Sequence, residues 1–155
     1  MACPLFIPTL PLGELVSIPT PLGDLYAGRC AADETAVIGP ETLRRFCNFG
    51  YARGRCERAG HTDDDAVRLL VRAERAGVVE IAWAVERNHH PVAVGNLEIA
   101  TNPTGTTTGE MEAGPAETAP PDPLSRQAYA CAVAYMRQMH PCPAPVGRMA
   151  AGMHQ

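Results

Sequence analysis

Four cysteines in the first 56 residues are the best candidates for chemistry in this chain: Cys3, Cys30, Cys47 and Cys56, with 26, 16 and 8 residues between successive members. Four thiolates can close a tetrahedral site around zinc or hold a four-iron cluster. The simpler interpretation is that they are ordinary reduced thiols, each buried or exposed on its own. We predict instead that all four bind one metal centre.

The spacing of these cysteines favours an iron–sulfur cluster over zinc. Zinc sites usually take their ligands as two close pairs, and the chain contains no Cys-x-x-Cys pair. Cys3 is followed by Pro4, and a Cys-Pro step also follows cluster ligands in bacterial ferredoxins. Ligands that are far apart in sequence are suited to a cluster that fixes an N-terminal segment to the core. We therefore expect a [4Fe–4S] cluster, and zinc is the alternative.

The stretch between Cys47 and Cys56 contains two glycines that favour sharp turns. Gly50 is a natural stop for a short helix over residues 40–47, and Gly54 permits a second turn before Cys56. Two turns in so short a stretch fold the backbone back, so that Cys47 and Cys56 can face one point. Backbone amides exposed in such turns also donate hydrogen bonds to thiolate or sulfide sulfur.

Three arginines, two in this stretch and one just after Cys56, could offset the negative charge of a thiolate-bound centre. We assign contact with the cofactor to Arg53 and Arg55, with Arg58 as the third member. The alternative is an ordinary solvated loop. If the centre is zinc, these arginines and Arg44 and Arg45 would form a basic face for nucleic acid or for an acidic protein partner.

The histidines and the two remaining cysteines are weaker candidates. His89 and His90 could serve a metalloenzyme, but the sequence Asn-His-His-Pro is more typical of a polar turn. His61, beside three consecutive aspartates, could recruit a cation, although such a run is more typical of solvated residues. Cys131 is expected in the core. Cys142 is expected to be a free thiol, and it is the substitute ligand if Cys3 is not one.

The composition and the absence of known motifs limit the function classes. A net charge of −4 argues against binding of a polyanion by the chain as a whole. The sequence has no phosphate-binding glycine loop, nucleophile elbow or His-Glu-x-x-His motif, which favours a protein without a catalytic site. The first residues do not resemble a signal peptide, and no stretch is apolar enough for a membrane span. Six cysteines then suggest metal ligation in the reducing cytoplasm.

The predicted fold is α+β, with a small antiparallel sheet of two or three strands, a C-terminal helix and a cysteine-ligated N-terminal region. Alternating apolar residues predict a strand at 79–86, which pairs with 66–73 around a three-residue turn, 75–77. A helix is the alternative for 66–73, and residues 96–100 are expected to return as a third strand. The predicted register sets these residues opposite each other: Leu69 and Trp83, Val71 and Ile81, Arg72 and Glu80.

The remaining segments complete the predicted organisation. Prolines keep residues 1–29 extended, and residues 1–100 carry the metal site and the sheet. Residues 101–123 have almost no large apolar side chain and are expected to form a flexible linker. Residues 124–140 form a helix that packs on the same domain, and residues 141–155 are expected to be a disordered tail.

Overall fold

A computed structural model describes residues 1–13, 20–61, 64–101 and 122–140. Within these ranges the chain forms two antiparallel sheets and a C-terminal helix, so the α+β class is confirmed. The first sheet pairs β1 (Phe6–Pro11) with β2 (Tyr26–Cys30). The second has the order β3 (Ala66–Arg75), β4 (Val78–Arg87), β5 (His90–Ala100). The helical segments are α1 (Pro40–Thr42), which continues as a π-helix (Leu43–Cys47), a 3-10 turn (Ala59–His61) and α2 (Pro123–Met139).

The β1–β2 hairpin was not predicted, because prolines argue against a strand within a sheet. The pairing tolerates them because it has only two strands and is interrupted by a bulge between Pro8 and Leu10. Gly28 is required in β2, since a Cβ atom there would lie 2.3 Å from the carbonyl oxygen of Ile7. The register sets Phe6 opposite Cys30 and so brings β2 close to the N-terminal residues.

The β3–β4 hairpin has the predicted pairs Leu69 with Trp83 and Val71 with Ile81, and the helix alternative for residues 66–73 is wrong. The predicted pair Arg72 with Glu80 is also wrong. The turn contains two residues rather than three, and a bulge at Arg72 restores the register beyond it. Both turn residues, Ala76 and Gly77, have positive φ, as a tight turn between right-twisted strands requires.

Strand β5 is longer than predicted and begins at His90, directly after the two-residue turn Asn88-His89. Its last residues include Leu97 and Ile99, which pack against the core as expected. Leu97 lies opposite Ile81, so the apolar face continues across the sheet. This face is the one that helix α2 covers.

Helix α2 begins where the Asp122 carboxylate accepts a hydrogen bond from the Ser125 backbone N–H, at 3.0 Å. Its buried face is made mostly of small side chains, which allow close approach to both sheets: Gln127, Ala128, Ala130, Cys131, Ala132 and Ala134. Cys131 packs with Val79 and Ile81, so its prediction as a core residue is confirmed. No helix in the described ranges is both long enough and apolar enough to cross a bilayer.

A buried glutamine ties helix α2 to the N-terminal residues. The Gln127 side-chain amide donates hydrogen bonds to the carbonyl oxygens of Cys3 and Phe6, each at 2.8 Å. Ala130 of the same helix packs in a cluster with Cys3, Phe6 and other residues of the first sheet. Most of the predicted linker and all of the predicted tail lie outside the described residues.

Candidate metal centre

The side chains of Cys3, Cys30, Cys47 and Cys56 line a single cavity. Three of them are buried and Cys56 is partly exposed. The cavity is small, ≈ 20 Å³, where roughly 10–15 Å³ is enough for one water molecule. This volume suits a single metal ion and excludes an organic ligand of metabolite size, and a four-iron cluster would require the lining side chains to move outward.

Backbone pairing brings the first three cysteines together. The Cys3 N–H donates to the carbonyl oxygen of Cys47 at 3.0 Å. The Ala31 N–H donates to the carbonyl oxygen of Leu5 at 2.8 Å, which extends the β1–β2 pairing beyond Cys30. These bonds between segments distant in sequence hold the three cysteines on one side of the first sheet.

Asn48 fixes Cys47 against the first sheet, and sequence reasoning missed it. Its side chain is fully buried. The amide nitrogen donates to the carbonyl oxygens of Tyr26 and Leu43, and the amide oxygen accepts from the Tyr26 N–H, all at 3.0 Å. The bond to Leu43 closes the wide π-helical turn that ends at Cys47. The sequence signal for this role was the position of the asparagine, directly after a candidate ligand.

The loop after Asn48 returns the chain to the cavity through the two predicted turns. Gly50 and Gly54 have φ of +68° and +74°, so both turns are confirmed. Ala52 is buried between them, and its carbonyl oxygen accepts the Cys56 N–H at 2.8 Å. The loop is anchored to the second sheet by the Tyr51 N–H, which donates to the carbonyl oxygen of Asp65 at 2.8 Å.

Burial dominates the electrostatics of the thiols. Burial, with a smaller contribution from the neighbouring thiols, raises the pKa of Cys3 to about 11 and the pKa of Cys47 to about 12. The backbone N–H groups of Leu5 and Phe6 act on the pKa of Cys3 in the opposite direction. Without a cation, Cys3 and Cys47 are thus protonated at neutral pH and are poor nucleophiles. A metal that binds here must displace their protons.

The arginines divide between two places. Arg29 and Arg58 line the four-cysteine cavity, and Arg29 was not predicted to do so. Arg53 and Arg55, the predicted cofactor-contacting residues, line a separate hollow next to the β4–β5 turn. Arg53 forms an ion pair there with Asp65, with 2.9 Å between Nε and Oδ1. For Arg53 and Arg55 a role at the metal centre stays a prediction.

The predicted basic face is partly neutralised by acidic neighbours. Arg45 pairs with Glu41 at 3.0 Å, one helical turn away. Arg58 lies 3.9 Å from a carboxylate oxygen of Asp33. The remaining unpaired positive charge on this face is therefore smaller than the count of arginines suggests.

His89 lies in the β4–β5 turn, as predicted from its sequence, and its ring stacks on Tyr51 with 4.7 Å between centroids. His90 is the first residue of β5. Neither lines the four-cysteine cavity. Cys142, the substitute ligand, and Asp63, the first of the three aspartates near His61, lie outside the described residues.

Within the described part of the chain, no three or more His, Cys, Asp or Glu side chains are grouped so that they could hold a metal ion as they stand. The four thiols thus share a cavity, and binding would require their sulfur atoms to adjust. Comparisons with models of protein families, with curated proteins and with solved structures found no match to this chain.

A buried carboxylate next to the loop stabilises its conformation. Glu86 accepts hydrogen bonds from the Tyr51 hydroxyl and from Arg68, which also lies 2.8 Å away as an ion-pair partner. The hydrogen bond from Tyr51 and the charge of Arg68 lower the pKa of Glu86. A carboxylate with a lowered pKa stabilises the fold above its unfolded-state pKa, about 4.3, and this contribution is lost as the pH falls through the folded-state pKa.

We expect Tyr51→Phe to lower the free energy of unfolding by about 1.5–3 kcal/mol at pH 7, since it removes a hydrogen bond to a charged group. The difference from the unmodified protein should shrink as the pH falls below about 4. Urea unfolding at several pH values measures both effects. Tyr129→Phe, at a half-buried position of α2, is the control and should change stability little. If Tyr51→Phe lowered the free energy of unfolding equally at pH 7 and at pH 3, the ionised carboxylate would not be the cause of the loss.

Proposed function

We propose that this chain is a small cytoplasmic iron–sulfur protein in which Cys3, Cys30, Cys47 and Cys56 hold one [4Fe–4S] cluster. The observation that supports this most is that four cysteines, far apart in sequence, line one cavity. Thiols with unrelated roles need not share a cavity, so the common lining supports a common role for these four. The cluster would have a structural or an electron-carrying role.

The chemistry of the cavity fits such a group. All the candidate ligand atoms are sulfur, the donor that iron–sulfur clusters use. The rest of the lining is largely apolar, with Leu5, Phe6 and Ile38 among its members, which limits the access of water. The backbone amides of Leu5 and Phe6 act to lower the pKa of Cys3, so they favour the negative charge of a thiolate-bound centre.

Charge compensation also supports the proposal. A four-iron centre with four thiolates carries net negative charge, and burying it would be costly without nearby cations. Arg29 and Arg58 line the cavity and supply positive charge beside it. The cluster would join the N-terminal residues, β2, the π-helix and the loop to one point, and so would replace part of the apolar core that this alanine-rich, aromatic-poor chain lacks.

Zinc is the second candidate, because the same four thiols could close a tetrahedral site. In that case the protein would be a structural interaction module with an arginine-bearing face. The ion pairs of Arg45 and Arg58 with acidic residues weaken that face as a binding surface for nucleic acid.

Absorption spectroscopy on anaerobically purified protein tests the proposal. We expect a brown protein with broad absorbance near ~400 nm, where iron bound to thiolate and sulfide absorbs. Bleaching by dithionite would indicate an electron-carrying role, and an unchanged spectrum a structural one. A colourless protein with one zinc per chain would overturn the cluster and promote the zinc module.

A further inference from the structure

A second hollow lies on the other side of the cysteine-bearing loop. It is formed by Tyr51, Arg53, Arg55, Asp65, Asn88 and His89. Its volume is ≈ 380 Å³, within the range of roughly 300–1,000 Å³ typical of small-molecule sites. This space is large enough for a metabolite, unlike the four-cysteine cavity.

The charges around this hollow leave it positive. The buried Asp65 carboxylate accepts hydrogen bonds from Arg53 and from the Asn88 backbone N–H, the latter at 2.6 Å. Its negative charge is thus already compensated. The Arg55 side chain is exposed and makes no hydrogen bond or ion pair with the described residues. A planar guanidinium with free N–H donors is suited to the oxygens of a phosphate or a carboxylate.

One residue of the hollow has an unusual backbone conformation. Asn88 and His89 have φ of 51° and 64° because they form the two-residue β4–β5 turn, where positive φ is ordinary. Tyr51 has φ of 52° without belonging to a hairpin turn, and a bulky residue adopts this conformation at a cost. Its stack on His89 and its hydrogen bond to Glu86 maintain it. Outliers of this kind concentrate at binding sites, where they fix side chains in advance of the ligand.

We infer that this hollow binds a small organic phosphate. The positive charge of Arg55, with the side-chain N–H groups of Asn88 and His89 as further donors, suits a multiply charged anion with several acceptor oxygens. The volume beyond that of inorganic phosphate accommodates an organic group next to the Tyr51–His89 pair. This function is additional to the metal centre and does not require it, since Arg55 does not line the four-cysteine cavity.

Isothermal titration calorimetry on the full chain as purified tests this inference, with ribose 5-phosphate, inorganic phosphate and succinate as probes. We expect saturable binding of ribose 5-phosphate, weakened about tenfold or more by Arg55→Gln, which removes a charge-assisted contact. Arg72→Gln is the matched control, since Arg72 is exposed on the β3 bulge and does not line the hollow. It should change the affinity less than about twofold.

Three results would overturn the inference: no saturable binding of either phosphate compound, an equal effect of Arg55→Gln and Arg72→Gln, or tighter binding of succinate than of ribose 5-phosphate. The last result would assign the hollow to carboxylates instead. A protein that contains no iron but binds ribose 5-phosphate through Arg55 would overturn the proposed cluster and leave this inference standing.

Discussion

Replacing Cys47 with serine is expected to abolish metal binding and to destabilise the protein severely. A serine hydroxyl is a poor ligand for iron or zinc, and the free energy of binding a structural metal is also folding free energy. The loss of unfolding free energy should exceed, by several kcal/mol, the loss expected from the side-chain change alone. Urea unfolding measures this loss, and metal analysis of the purified variant measures the binding.

Cys131→Ser is the matched control for this experiment, because Cys131 and Cys47 are buried to the same extent, each with 8% of its surface exposed. Cys131 packs with Val79 and Ile81, away from the cavity. Burying its hydroxyl should cost about 1–3 kcal/mol and leave the metal content unchanged. Equal metal content in the two variants would refute the assignment of Cys47 as a ligand.

Asn48→Asp is expected to have the second large effect. The two side chains have nearly the same shape, so the change creates no cavity. An ionised aspartate cannot donate hydrogen bonds, so the buried carbonyl oxygen of Tyr26 loses its side-chain donor, and the carbonyl oxygen of Leu43 keeps only the Asn48 backbone N–H. The lost bond to Tyr26 and the burial of an unpaired carboxylate each cost about 1–3 kcal/mol or more, so the free energy of unfolding at pH 7 should fall by about 2–6 kcal/mol.

The same variant should also bind metal less tightly, because Asn48 holds the turn that ends at Cys47. Asn96→Asp on the exposed side of β5 is the control, and it should alter stability by about 0.5 kcal/mol or less. Chemical unfolding and metal analysis of the two purified variants give the comparison. Similar stability of both variants would mean that the Asn48 hydrogen bonds do not position the cysteine segment.

The second sheet could be predicted from the sequence because its signal is local. Alternation along β4 identifies the strand, and its apolar residues can match β3 in only one favourable register, with Val71 opposite Ile81. The two-residue turn and the bulge at Arg72 were missed, since one extra residue in the strand compensates for one fewer in the turn. The apolar pattern alone does not distinguish these two solutions.

The first sheet could not be predicted in the same way. Its strands are short and proline-bearing, and their pairing depends on contacts distant in sequence, such as Gly28 beneath Phe6 and Gln127 against the N-terminal carbonyls. The turns at Gly50 and Gly54 were predictable because positive φ favours glycine. Tyr51 has positive φ without being glycine, so no sequence rule indicates its conformation.

The four cysteines could be selected from their number and from their place in the first 56 residues, but their neighbours were only partly predictable. Arg29 lines the cavity next to Cys30, which it directly precedes on β2, and this adjacency was an available signal. Arg53 and Arg55 are closer in sequence to Cys56, yet they line the other hollow because the loop turns at Gly54. Sequence proximity is a poor guide to charge compensation where the backbone reverses direction twice.

Quantification of iron, acid-labile sulfide and zinc in anaerobically purified protein tests the central claim most directly. A [4Fe–4S] cluster held by Cys3, Cys30, Cys47 and Cys56 predicts about four iron and about four sulfide per chain, lost together in Cys47→Ser and retained in Cys131→Ser. Protein that contains neither iron nor sulfide, although purified and handled without oxygen, would contradict it.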